Sequence, residues 1–171
     1  MADPTYHFWL KPAGEAYDLF ARVVRDLAKE LGVQPFEPHV TLLAYLDGPE
    51  DVHVERARLL AARVRPFEMQ LTDPAWLSEH FRSLFMLADQ TPAVMACHRE
   101  ATMLYGRTGE PYMPHLSLVY GLFPEDTKRT LAARLPAGVR TTFEVRSVIL
   151  LRSDSTEPKD WHEIREVPFQ A

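Results

Sequence analysis

Pro38-His39-Val40-Thr41-Leu42-Leu43 and Pro114-His115-Leu116-Ser117-Leu118-Val119 are the two stretches that decide the reading of this chain. Each runs proline, histidine, apolar, hydroxyl, apolar, apolar. A proline ahead of a β-branched and leucine-rich run marks the entry to a strand. In a strand alternate side chains share a face, so each histidine projects beside its Thr or Ser while the intervening residues enter a core. A single His-apolar-hydroxyl match is commonplace. With seven histidines in the chain, two accidental matches have a chance of roughly one in a few hundred at average residue frequencies. If the two strands lie side by side about a pseudo-twofold axis, four polar groups converge on one cleft.

Outward from these strands the chain alternates extended and helical patterns. Tyr6 to Leu10 reads as a strand closed by Pro12. Phe20, Val23, Val24, Leu27 and Leu31 recur at helical spacing, predicting a helix from Ala13 to Leu31 that stops at Gly32. After the strand His39 to Leu46, a second helix is expected over Glu50 to Val64. Strands follow at Phe67 to Leu71 and Arg82 to Leu87, then a helix from about Thr91 to Leu104. His115 to Tyr120 is a strand, a short helix follows Pro124 as far as Leu135, and strands close the chain at Thr142 to Leu151 and His162 to Val167. The hairpin-like strand pairs favour an antiparallel α+β layout over a doubly wound parallel sheet.

Composition bounds the function. The 171 residues are 46% hydrophobic and 25% charged, as in an ordinary soluble globular protein, and they predict one domain over residues 1–171, whole or in two intimate lobes. The single cysteine, Cys97, excludes an intramolecular disulfide framework and a cysteine-based zinc ribbon, and makes the cytoplasm the expected compartment. A formal net charge of -5 argues against gripping long nucleic acid by phosphate neutralisation. No apolar run suits a secretory leader or a membrane span, so no membrane partner is expected.

Two histidines and two hydroxyls without a flanking carboxylate cluster suit phosphodiester cleavage by general acid and base. One neutral imidazole takes a proton from water and an imidazolium protonates the leaving oxygen. The hydroxyls donate to non-bridging phosphate oxygens. A histidine pKa near 6.5 allows both forms close to neutrality, and the scheme calls for no metal and no cofactor.

The paired motifs HVTL and HLSL resemble the signature of the 2H phosphoesterase superfamily. The order YHFWLKP, PHVTLLAYL, HFRSLFML, PHLSLVYG is similar to its cyclic phosphodiesterase branch, from Tyr6 to about Gly121 and more loosely at the terminal WHEIREVPF. The resemblance implies a bilobal α+β fold, two pseudo-symmetric antiparallel-sheet lobes with outer helices and a central groove. It implies His39 and His115 as the catalytic pair, and Thr41 and Ser117 as phosphate ligands. Tyr120 would assist through a water, although strict alternation puts it opposite His115 unless the strand bends near Gly121. Phe81 and Trp9 would stack on a base, with plain core packing the competing explanation. The branch opens nucleoside 2',3'-cyclic phosphates and ADP-ribose 1'',2''-cyclic phosphate, with His115 as base and His39 as acid, a choice that the near-symmetry of the motifs leaves open. The plant members' cysteine pairs are not matched here.

The expected partner is therefore a small cyclic nucleotide bound by a monomer. An enzyme acting on short RNA ends, as a 2',3'-cyclic phosphodiesterase or 2'-5' ligase, and a non-catalytic nucleotide-binding module are the alternatives. The other histidines read as bland: His7 as an exposed edge residue, and His53, His80, His98 and His162 as surface groups. Cys97 reads as a small core residue, and the Arg56 to Arg65 segment as a solvated helix face.

Overall fold

A computed structural model describes residues 3–170. Four helices and eight strands alternate in the order β1 (Thr5–Leu10), α1 (Gly14–Leu31), β2 (Val40–Leu46), α2 (Glu50–Arg63), β3 (Phe67–Ala75), β4 (Leu84–Ala88), α3 (Pro92–Leu104), β5 (His115–Val119), α4 (Glu125–Ala133), β6 (Thr142–Val145), β7 (Ser147–Ser153) and β8 (Trp161–Pro168). All pairings are antiparallel, and the strands form one curled sheet in the order β6-β3-β4-β5-β2-β1-β7-β8. The two motif strands stand at its centre.

Local chemistry accounts for the element boundaries. Helix α1 buries Phe20, Val23, Val24, Leu27 and Ala28 and ends at Gly32, whose φ of 68° lets its N–H reach the Ala28 carbonyl. Helix α3 opens on Thr91, whose hydroxyl accepts from the Val94 N–H, with Pro92 at the first helical position. Strand β3 runs beyond the expected Leu71 to Ala75 and admits Pro74, because β6 pairs only with Phe67 to Gln70 and leaves that stretch of β3 at the sheet edge.

One expected strand is two. Thr142 to Leu151 breaks at Arg146: β6 pairs with β3 at one end of the sheet, while β7 pairs with β1 and β8 near the other. The chain keeps its extended form while changing partners, and only the interruption of the apolar pattern at Arg146-Ser147 marks the break. The main core lies under one face of the sheet, where Phe8, Leu10, Val40, Leu42, Met86, Leu116, Leu118 and Leu150 pack with the apolar faces of the helices. The opposite face carries the histidines and hydroxyls of the two motifs beside a smaller apolar cluster of Trp9, Ile149 and Leu151.

Candidate active site

Strands β2 and β5 meet antiparallel at Val40 and Leu116. Extending that register one residue each way sets His39 across from Ser117 and Thr41 across from His115, all four on the face opposite the core. Each histidine therefore faces the other motif's hydroxyl. Trp9 on β1 pairs with Thr41, and on β4 Phe85 pairs with Ser117 and Leu87 with His115, so the quartet sits mid-sheet between apolar neighbours.

The two imidazoles are anchored alike. Nδ1 of His39 lies 2.7 Å from the Glu37 carbonyl, and Nδ1 of His115 lies 2.8 Å from the Met113 carbonyl, in each case two residues back. A carbonyl can only accept, so each Nδ1 carries the proton and each neutral ring keeps its lone pair on Nε2. Burial is the chief influence on both. His39 is only 5% exposed, and desolvation, aided by the nearby His115, His7 and Lys11, pulls its pKa down to about 3 despite the Glu37 hydrogen bond. His115, half-buried, is also held below the ordinary value by desolvation. At rest both rings are neutral.

The hydroxyls differ. Ser117 Oγ donates to the Phe81 carbonyl at 3.1 Å. Among the described residues the Thr41 hydroxyl has no hydrogen-bond partner within the protein, while its backbone carbonyl accepts from the Tyr112 hydroxyl at 3.1 Å.

An aromatic wall flanks His39. Trp9 lies face to face with the imidazole, centroids 3.5 Å apart and planes 6° apart, and is itself only 4% exposed. The face expected to receive a base is thus against the catalytic candidate. Phe36 and Trp161 approach His39 edge-on at 6.2 and 6.4 Å. Tyr120 stacks on Phe36 at 3.8 Å and meets Phe81 at 5.1 Å and Trp161 at 5.9 Å. The bend that Tyr120 requires is present: β5 ends at Val119 and Gly121 has φ 140°, a value that suits glycine. Burial pushes the Tyr120 phenol up from its ordinary pKa.

Phe36 and Glu37 at this site escape sequence reasoning, while Lys11, Trp161 and Glu163 lie within the YHFWLKP and WHEIREVPF stretches without being singled out there. Other expectations need correction. His7 is not on an edge, because β1 lies between β2 and β7; its Nε2 sits 2.8 Å from Ser153 Oγ and burial lowers its pKa to about 4. His53 and His98 are buried rather than superficial, the first 2.9 Å from the Tyr105 hydroxyl and the second stacked on Tyr112. Each continues the buried stripe of its helix, His53 with Ala57, Leu60 and Ala61, His98 with Val94 and Ala101. Cys97 is buried as expected. Arg56, in the segment read as a solvated face, lies 4.2 Å over the Tyr105 ring.

The chain is a phosphoesterase of the 2H type, and its central antiparallel pair carries two anchored histidines and two hydroxyls. Residues 15–157 match the model of the 2'-5' RNA ligase superfamily, and the chain belongs to that family. It is 28% identical over 127 residues to the cyclic phosphodiesterase of Arabidopsis thaliana, spanning 72% of this chain and 69% of that protein. Its fold is similar to that of TT0787 of Thermus thermophilus, with a TM-score of 0.68 at 18% identity over 96% of this chain and 97% of that one. It is also similar to E. coli LigT complexed with 3'-AMP, with a TM-score of 0.67 at 16% identity over 99% of this chain and 100% of that one. No helix among the described residues is long and apolar enough to cross a membrane.

Proposed function

We propose that the protein hydrolyses small cyclic phosphodiesters, above all nucleoside 2',3'-cyclic phosphates to 2'-phosphates, by paired-histidine catalysis without a metal. The observation that carries this reading is the register that sets His39 against Ser117 and Thr41 against His115, with each Nδ1 anchored and each Nε2 free of a hydrogen-bond partner among the described residues. Water attacks phosphorus and the bond to the 3'-oxygen breaks. Nε2 of His115 takes the water proton, and Nε2 of His39 delivers a proton to the departing 3'-oxygen. Thr41 donates to a non-bridging oxygen, Ser117 does so by turning its hydroxyl away from the Phe81 carbonyl, and Tyr120 orients water, with Phe81 packed against it.

Burial makes His39 costly to protonate, so the anionic phosphodiester itself supplies the field that holds a proton there. Trp9, stacked on His39, is a positioning residue in this scheme. The decisive experiment incubates the protein with 2',3'-cyclic AMP in EDTA and resolves 2'-AMP from 3'-AMP. Turnover that survives chelation, yields 2'-AMP and disappears in His39→Ala and His115→Ala is expected. Strict metal dependence, or undiminished turnover in either variant, refutes the scheme. The family's name favours a second reading, action on RNA ends, which predicts that an oligonucleotide with a terminal cyclic phosphate outcompetes the mononucleotide.

A further inference from the structure

Beside His39 lies a cavity of about 340 Å³, within the size range of small-ligand sites. Trp9, Phe36 and Trp161 line it, and the same three rings surround His39, so the cavity shares its aromatic wall with the catalytic candidate. The indole N–H of Trp161 donates to the Ser155 carbonyl at 3.0 Å, which fixes that ring. Leu151 and Pro158 complete the apolar side, and the rest of the wall is charged. Lys11 Nζ bridges Oε2 of Glu37 at 3.4 Å and Oε2 of Glu163 at 3.3 Å, and the Tyr17 hydroxyl donates to the same Glu37 oxygen at 2.6 Å.

This network ties down one oxygen of each carboxylate. Among the described residues, Oε1 of Glu37 and Oε1 of Glu163 have no hydrogen-bond partner within the protein. Two carboxylates against one ammonium leave the wall acidic. Beyond Lys11 and Glu163 a second cavity of about 280 Å³ continues the trench, and there Glu144 and Glu166 outnumber Arg146. A second phosphate laid along it would meet like charge.

We infer that the 340 Å³ cavity is the nucleobase pocket of the site and that its carboxylates select guanine. This rests on the reading that the substrate is a nucleoside cyclic phosphate. Guanine presents N1–H and N2–H as adjacent donors, the complement of a carboxylate, and flat aromatic walls accept a purine. Adenine and cytosine offer an amino donor beside an acceptor nitrogen. Uracil offers one N–H between two carbonyls, which a carboxylate repels. The same acidity disfavours the diphosphate of an ADP-ribose substrate and the next phosphate of an RNA chain.

The test measures kcat/KM for the 2',3'-cyclic phosphates of guanosine, adenosine, cytidine and uridine and for ADP-ribose 1'',2''-cyclic phosphate. The parent chain, Glu37→Gln and Glu163→Gln are compared, with binding of 2'-GMP and 2'-UMP measured by calorimetry. A guanosine-to-uridine ratio of about ten or more, equal to about 1.4 kcal/mol, is expected, with at least one variant collapsing it. Rates within about twofold for all bases, ADP-ribose as the best substrate, or an unaltered ratio in both variants overturns the assignment. If no cyclic phosphate turns over, the hydrolase reading falls, and the pocket is then judged by binding alone: tighter 2'-GMP supports it and equal affinities overturn it.

Discussion

Between pH 7 and pH 4.5 the His39→Asn variant should lose about 2.7 kcal/mol less stability than the parent chain. In the folded protein burial holds the His39 pKa down to about 3. In the unfolded chain it returns to about 6.5. Across the window between these values the unfolded state carries a proton at this site that the folded state does not. Acidification therefore draws the equilibrium toward unfolding: the stability contributed by neutral His39 is full above the unfolded pKa and is lost as pH falls below it. At pH 4.5, two units below the unfolded value, the loss is about 2.7 kcal/mol at about 1.36 kcal/mol per unit. The figure depends little on the folded pKa, provided that value stays well under 4.5.

Asparagine is the appropriate replacement because its amide N–H can still donate toward the Glu37 carbonyl while carrying no titratable group. Truncation costs some packing against Trp9, but equally at both pH values. His7 and His115, whose pKa values burial also lowers, titrate in both proteins and largely cancel in the difference. The assay is urea unfolding followed by far-ultraviolet circular dichroism at the two pH values. Parallel loss of stability in parent and variant, within about 0.5 kcal/mol, would refute the claim that His39 is held neutral by burial.

The two hydroxyls should prove unequal: Thr41→Ala should lower kcat/KM on a 2',3'-cyclic nucleotide by about 10²-fold, and Ser117→Ala by less, since the Ser117 proton is already engaged by the Phe81 carbonyl. A larger loss at Ser117 would reverse that ranking. Gly121→Ala places a Cβ 2.6 Å from the Phe123 ring at φ 140° and should cost about 1–3 kcal/mol, whereas Gly32→Ala, with nothing within 4 Å, should cost less; equal melting temperatures would contradict this. The Cys97 thiol, whose pKa burial pushes up to about 12, should resist iodoacetamide in the native protein and react only on unfolding. Rapid native labelling would show that helix α3 opens.

The motif strands were legible because their information is local: a proline, a period of two, and the same six-residue pattern written twice. The helices were legible for the same reason, and the burial of His53 and His98 was written in their spacing even though residue type suggested otherwise. Partner choice is not local. Arg146-Ser147 interrupts the apolar pattern of Thr142 to Leu151, but nothing there says that the chain leaves β3 for β1, nor that Trp161 at the start of the last strand comes to lie beside Phe81 and Tyr120.

What secures the site is on the other side of the sheet. A one-residue slip between β2 and β5 would carry His39 and Thr41 away from Ser117 and His115 and would turn apolar side chains out of the core. Val40, Leu42, Leu116 and Leu118 are each at most 1% exposed, and fully burying one such side chain is worth about 1.5–3 kcal/mol. The central pair shares only the Val40 and Leu116 register, so those buried residues, rather than an extended ladder, hold the two histidines in opposition. Leu116→Ala should therefore lower activity before it unfolds the chain, whereas a truncation as deeply buried but remote from this pair, such as Leu60→Ala, should lower stability alone.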